Sequence, residues 1–92
     1  MPAPGFGGGG DMETRVAIIG VIVEEPEAVE RLNMILHEYS YAIIGRMGLP
    51  YHKKGVSIIS VAVDAPQSVT SALSGKLGRL KGVTVKTAYG SI

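Results

Sequence analysis

The chain has 92 residues, of which 46% are hydrophobic and 18% charged, with no cysteine and a net charge of +1 at neutral pH. This is the length of one domain, and the composition excludes a disulfide framework or thiolate metal site, the basic footprint of a nucleic-acid binder and an acidic, disordered character. So short a domain buries only about 60% of its unfolded surface, so self-association or a bound ligand is expected to supplement its core.

The first eleven residues, MPAPGFGGGGD, are dominated by Gly and Pro. Four consecutive glycines, Gly7 to Gly10, cannot bury side chains and are entropically costly to order. No strand precedes them and no lysine follows in register, which argues against a phosphate-cradling loop. Residues 1–12 are therefore expected to form a flexible Gly-rich tail, with the domain spanning 13–92. No Lys or Arg precedes Arg15, and no apolar run approaches the roughly 20 residues of a membrane span. With the lack of cysteine, these features predict a cytoplasmic protein that does not engage a membrane.

Thr14 to Val23 is a β-branched run and reads as a strand. Glu24, Glu25, Pro26 and Glu27 open a helix, since proline and acidic residues suit the first turn. Ala28, Val29, Leu32, Ile35, Leu36 and Tyr39 then recur at helical spacing. Tyr41 to Met47 reads as a second strand that Gly48-Leu49-Pro50 ends, because proline lacks a ladder donor. Tyr51 to Gly55 is a polar connection, and Val56 to Val63 a third strand. Asp64-Ala65-Pro66 starts a second helix, with Asp64 or a neighbour as its cap. That helix has an apolar stripe of Val69, Ala72, Leu73, Leu77 and Leu80. Lys81-Gly82 reads as its stop, and Val83 to Tyr89 as the last strand. The order is βαββαβ: an α+β, ferredoxin-like sandwich with a four-stranded antiparallel sheet and two helices on one face.

A sheet covered on one side alone should alternate apolar and polar residues. The first strand has Val16, Ile18 and Ile22 on one side and Ala17, Ile19, Val21 and Val23 on the other. The third places Ile58 against Ile59, Val61 and Val63. Two helices cannot cover both faces, so a second copy of the chain is the expected cover for the other.

Several stretches together resemble one family: Arg15 to Ile22 (RVAIIGVI), Leu32 to Tyr39 (LNMILHEY), Ile43 to Tyr51 (IIGRMGLPY), Gly55 to Val61 (GVSIISV), Asp64 to Gln67 (DAPQ) and Ser71 to Leu77 (SALSGKL). The resemblance covers nearly all of residues 13–89 and is to the iron-only hydrogenase system regulator family. That family is ACT-like, with a ferredoxin fold distantly like the nickel-sensing domain of nickel-responsive repressors. The resemblance implies a stand-alone regulatory domain, a dimer or tetramer, with a small-molecule effector at the subunit interface. It also implies a link to iron-only hydrogenase through a regulatory or hydrogenase-related protein partner. With no DNA-reading helix in the chain, any transcriptional effect would pass through that partner. No catalytic residue is carried over, and no cofactor is expected.

Gly45, Arg46, Gly48, Tyr51, His52, Lys53 and Lys54 form the most unusual segment. Glycine permits close backbone approach, and the basic side chains suit an anionic effector. The competing reading is a β-hairpin with a solvated basic tip. Gly45-Arg46-Met47-Gly48 also matches the GXXG pattern of KH domains, but lacks the following helix that gives it an RNA-clamping role. His37 and His52 are the only histidines and would serve an alternative function, a small nickel- or iron-type metal sensor or carrier, with ligands shared across subunits. Ser74-Gly75-Lys76 lacks P-loop spacing. No Ser/His/Asp set or paired acids stand out, so a non-enzyme is expected.

Overall fold

The computed structural model describes residues 13–92; the expected tail at 1–12 lies outside the described residues. Strand β1 (Arg15–Val23) leads to helix α1 (Ala28–Glu38), and a single 3-10 turn (Ser40–Ala42) then feeds β2 (Ile43–Tyr51). Strand β3 (Val56–Ala65), helix α2 (Gln67–Gly78) and strand β4 (Val83–Tyr89) complete the ferredoxin-like order. The sheet is antiparallel throughout, in the order β2-β3-β1-β4, so the two central strands are the two most apolar ones.

Both helices cover one face. Ala17, Ile19, Val21 and Val23 of β1 and Ile59, Val61 and Val63 of β3 are buried beneath Leu32 and Leu36 of α1 and Leu73 and Leu77 of α2. Each large aliphatic group buried this way contributes about 1.5–3 kcal/mol. The α1 stripe is as expected: Ala28, Leu32 and Leu36 are buried, and Val29, Ile35 and Tyr39 pack at its margins.

Several boundaries differ from the sequence reading: α1 begins only at Ala28, and α2 ends at Gly78, short of Leu80 and of the expected Lys81-Gly82 stop. Strand β2 starts later and runs through Pro50, which pairs with Ser57, while Tyr41 belongs to the 3-10 turn. Because β2 is an edge strand, a missing donor on its outer side leaves the ladder intact. Asp64 does not cap α2. It lies in β3 opposite Val16, and Pro66 is the cap residue, with its carbonyl accepting the Val69 and Thr70 N–H groups at 2.9 and 3.2 Å. Within α2, Ala72 is exposed and Thr70 takes the buried position.

Helix α2 is joined to β4 by hydroxyls. Ser74 Oγ donates to the Thr70 carbonyl at 3.0 Å and lies 2.9 Å from Thr87 Oγ1; Ser71 Oγ is 3.3 Å from Tyr89 Oη. Gly82, at φ +77°, precedes β4, and its carbonyl accepts the Glu24 N–H at 2.7 Å. That bond fastens the β1–α1 connection to the α2–β4 connection.

Candidate functional site

The face of the sheet opposite the helices is open among the described residues. The register sets its side chains in rows. Leu49, Ile58, Ile22 and Thr84 form one row. Met47, Ser60, Gly20 and Lys86 form the next, and Gly45, Ala62, Ile18 and Ala88 the third. Ile22 and Ile58 are each 42% exposed, Ile18 51% and Leu49 60%. The relief is an apolar ridge, a trough over Ser60 and Gly20, and a second apolar strip. These exposed aliphatic groups are contiguous across neighbouring strands.

Strand β2 borders this face and also a second feature. Its pairing with β3 shifts between Ile43 and Gly45, so Ile44 is an extra, unpaired residue, a β-bulge. The bulge inverts the alternation beyond it. Gly45, Met47, Leu49 and Tyr51 face the open side, and Arg46 and Gly48 face α1. There Arg46 Nη2 donates to Asn33 Oδ1 at 2.9 Å. Asn33, Leu36, His37, Ser40, Ile43 and Arg46 line a cleft of about 350 Å³ between α1 and β2.

The sequence-predicted effector residues are thus divided. Arg46 joins the α1 cleft. His52, Lys53 and Lys54 occupy the β2–β3 turn, where the Gly55 N–H donates to the His52 carbonyl at 3.1 Å and Gly55 adopts φ +67°. The strand between positions 46 and 51 spans about 16 Å, so the basic groups do not converge. Tyr51 and His52 instead line a smaller cleft of about 210 Å³ with Val23, Pro26 and Val29, at the start of α1. His37 stands in the last turn of α1, about 12 Å along the helix from Val29. The two histidines therefore lie at opposite ends of α1, and among the described residues no three His, Asp or Glu side chains gather as a metal site.

Asn33 and Ser40 were not singled out from the sequence. Asn33 is legible only as one polar-face residue among many. The bulge that turns Arg46 toward it has no sequence signal beyond the nearby glycines.

Comparison with known proteins places this architecture. A family profile described, provisionally, as TM1266-like, iron-only hydrogenase system regulator matches residues 15–87. The chain belongs to the TM1266-like family. The solved structure of uncharacterized protein TM1266 from Thermotoga maritima shares 35% identity with this TM1266-like chain, at a TM-score of 0.80, over 84% of this chain and 98% of that one. A formyltetrahydrofolate deformylase from Pseudomonas putida KT2440 aligns at a TM-score of 0.57 and 11% identity, over 79% of this chain but only 28% of the deformylase; that likeness is one of fold alone. No curated protein matches the chain. The role given to the TM1266-like family is that of a regulator. No helix among the described residues of this TM1266-like chain is long and apolar enough to cross a membrane.

Proposed function

We propose that this chain is a non-enzymatic regulatory domain of an iron-only hydrogenase system. It acts in the cytoplasm as a homo-oligomer, a dimer or tetramer, and takes a small effector at the subunit interface. The observation that carries the reading is the open apolar sheet face, with Ile18, Ile22, Ile58 and Leu49 all more than two-fifths exposed. A second copy is the occupant its shape suits. The ridge of Leu49, Ile58 and Ile22 on one copy fits the trough over Gly20 and Ser60 on another, at the ~10 Å spacing of packed sheets. Family membership supports the regulatory role. Both helices have their apolar stripes committed to the core, so an effect on transcription would act through a regulatory or hydrogenase-related protein partner.

Sedimentation velocity across the micromolar range tests the assembly. A dimer or tetramer is expected, and a monomer at every concentration overturns it. Deleting the gene in its host and measuring hydrogenase level and activity tests the regulatory role, which unchanged values would overturn.

A further inference from the structure

We infer that the cleft between α1 and β2 binds the oxyanion end of a small organic anion, with Arg46 as its principal contact and His37, Ser40 and Asn33 as further polar contacts. The inference rests on the effector reading above and names the ligand chemistry, but it moves the site from the subunit interface to the helix side of β2, one strand away from the open face.

The bulge at Ile44 is the first support. Were Ile44 paired in a regular ladder, Gly45 would fall opposite Val61 and face α1, and Arg46 would fall opposite Ser60 and face the open side. Bulges commonly re-aim a side chain at a functional site. Here the re-aimed side chain is a guanidinium at the cleft lined by Asn33, His37 and Ser40.

The second support is the partnering of that guanidinium. Its only hydrogen-bond partner among the described residues is the neutral Asn33 amide oxygen, at 2.9 Å. The one ion pair among the described residues joins Lys76 to Glu38, at 3.7 Å. Arg46, itself exposed, is therefore oriented by a neutral group, pairs with no carboxylate among the described residues, and has further N–H donors. Asn33 fixes one end of the fork; the remaining donors suit a carboxylate or phosphate.

The third support is what surrounds it. His37 and Ser40 add donors on the wall contributed by α1 and its 3-10 turn, and Leu36 and Ile43 form an apolar wall. A volume of about 350 Å³ lies at the lower end of the range for small-ligand sites. Two features oppose an anion. The carbonyl end of α1 is near, although its Ile35 and Leu36 carbonyls already accept the Tyr39 N–H at 3.2 Å. Glu30 and Glu38 line the neighbouring groove with Asn33, Met34 and His37, but Glu38 is engaged by Lys76. The anion therefore sits on the β2 side of His37.

The position also couples ligand to assembly. Gly45 and Met47, flanking Arg46, face the open side, so one strand separates the cleft from the surface proposed to self-associate. A ligand that favours one setting of β2 changes the affinity of the subunits, and association changes the affinity for ligand by the same factor.

The test is an amide and side-chain NMR titration of the full chain with sodium butyrate and, separately, inorganic phosphate, with sodium chloride as the ionic-strength control. Saturable shifts confined to Asn33, His37, Ser40 and Arg46 are expected. Butyrate alone saturating assigns a carboxylate, and phosphate alone assigns a phosphate ester. Arg46→Gln should weaken binding about tenfold or more, the scale of a lost charge-assisted contact, while Lys54→Gln leaves it unchanged. Should Arg46→Gln fail to fold, Ser40→Ala gives the second reading, with a several-fold loss expected. Shifts that never saturate with either probe, or equal binding by Arg46→Gln, overturn the inference. Sedimentation of the same samples separates the two ideas. An oligomer that binds neither probe overturns the cleft alone, and a monomer that binds one overturns the assembly alone.

Discussion

Ile22 of β1 stands directly opposite Ile58 of β3 on the open side of the sheet, and each keeps about two-fifths of its surface exposed. Their neighbours across the strands are Leu49 and Thr84. A charge in the middle of that row would have to be desolvated when two such faces meet. Ile22→Glu is expected to shift the assembly to monomer at micromolar concentration by sedimentation, while far-UV circular dichroism stays unchanged. An oligomer of unaltered mass in this variant places the interface elsewhere.

Leu73 is wholly buried where α2 meets the sheet. Leu73→Ala is expected to lower stability by about 2–5 kcal/mol, the transfer term plus the cavity left behind. The urea midpoint measures it. In a domain of this size such a loss is comparable to the whole stability, so the variant should be largely unfolded at elevated temperature.

The glycines separate by environment. A Cβ on Gly82 would overlap Glu25 Cγ, lie 2.7 Å from Glu25 Cβ and force a side chain into positive φ. Gly55 shares the positive φ but has open space, and Gly45 has open space with ordinary backbone. Substitution by Ala should therefore be most destabilising at Gly82, by about 2 kcal/mol or more, intermediate at Gly55, about 1 kcal/mol, and smallest at Gly45. Thermal melts of the three variants check the ranking, and a Gly82→Ala melt matching that of Gly45→Ala contradicts it.

Thr70 and Ser74 lie one turn apart on α2 and should respond oppositely. The Thr70 hydroxyl is buried with no hydrogen-bond partner among the described residues, whereas Ser74 Oγ bonds the Thr70 carbonyl and pairs with Thr87 Oγ1. Thr70→Val removes an unsatisfied polar group at constant shape and should stabilise by about 1 kcal/mol. Ser74→Ala leaves Thr87 without that partner and should destabilise by about 1 kcal/mol. Denaturant titration of both, with the Ser74→Ala, Thr87→Val double variant completing a cycle, measures the coupling.

The architecture was legible because β1 and β3 are apolar on both sides, and α1 carries one continuous stripe from Ala28 to Tyr39. These are periodic signals that burial imposes over many residues. Pro50 misled because its tolerance depends on β2 being an edge strand, which is a property of the assembled sheet and not of the segment. Asp64 misleads because a capping residue type two positions before a proline reads as a helix start, whereas β3 continues through it opposite Val16. The Arg46 cleft was legible only in part. The residue was singled out, but its partners were sought along the sequence at His52 to Lys54. One unpaired residue, Ile44, turns it instead to a helix thirteen positions earlier. Thr70 was hidden for a similar reason, as a polar type in the buried place the stripe gave to Ala72.

The topology also bears on how the molecule comes into being. β1, the first strand in the chain, is held between β3 and β4, with Ile19 opposite Val61 on one side and Thr87 on the other. Of the strand pairs, only β2 with β3 joins neighbours through a tight turn, so that hairpin is the natural nucleus and β1 must be threaded between later elements at a high loop-closure cost. On the ribosome, the opening strand would therefore wait for β3 to pair one of its edges, and its other edge would stay open until the β4 residues had left the exit tunnel.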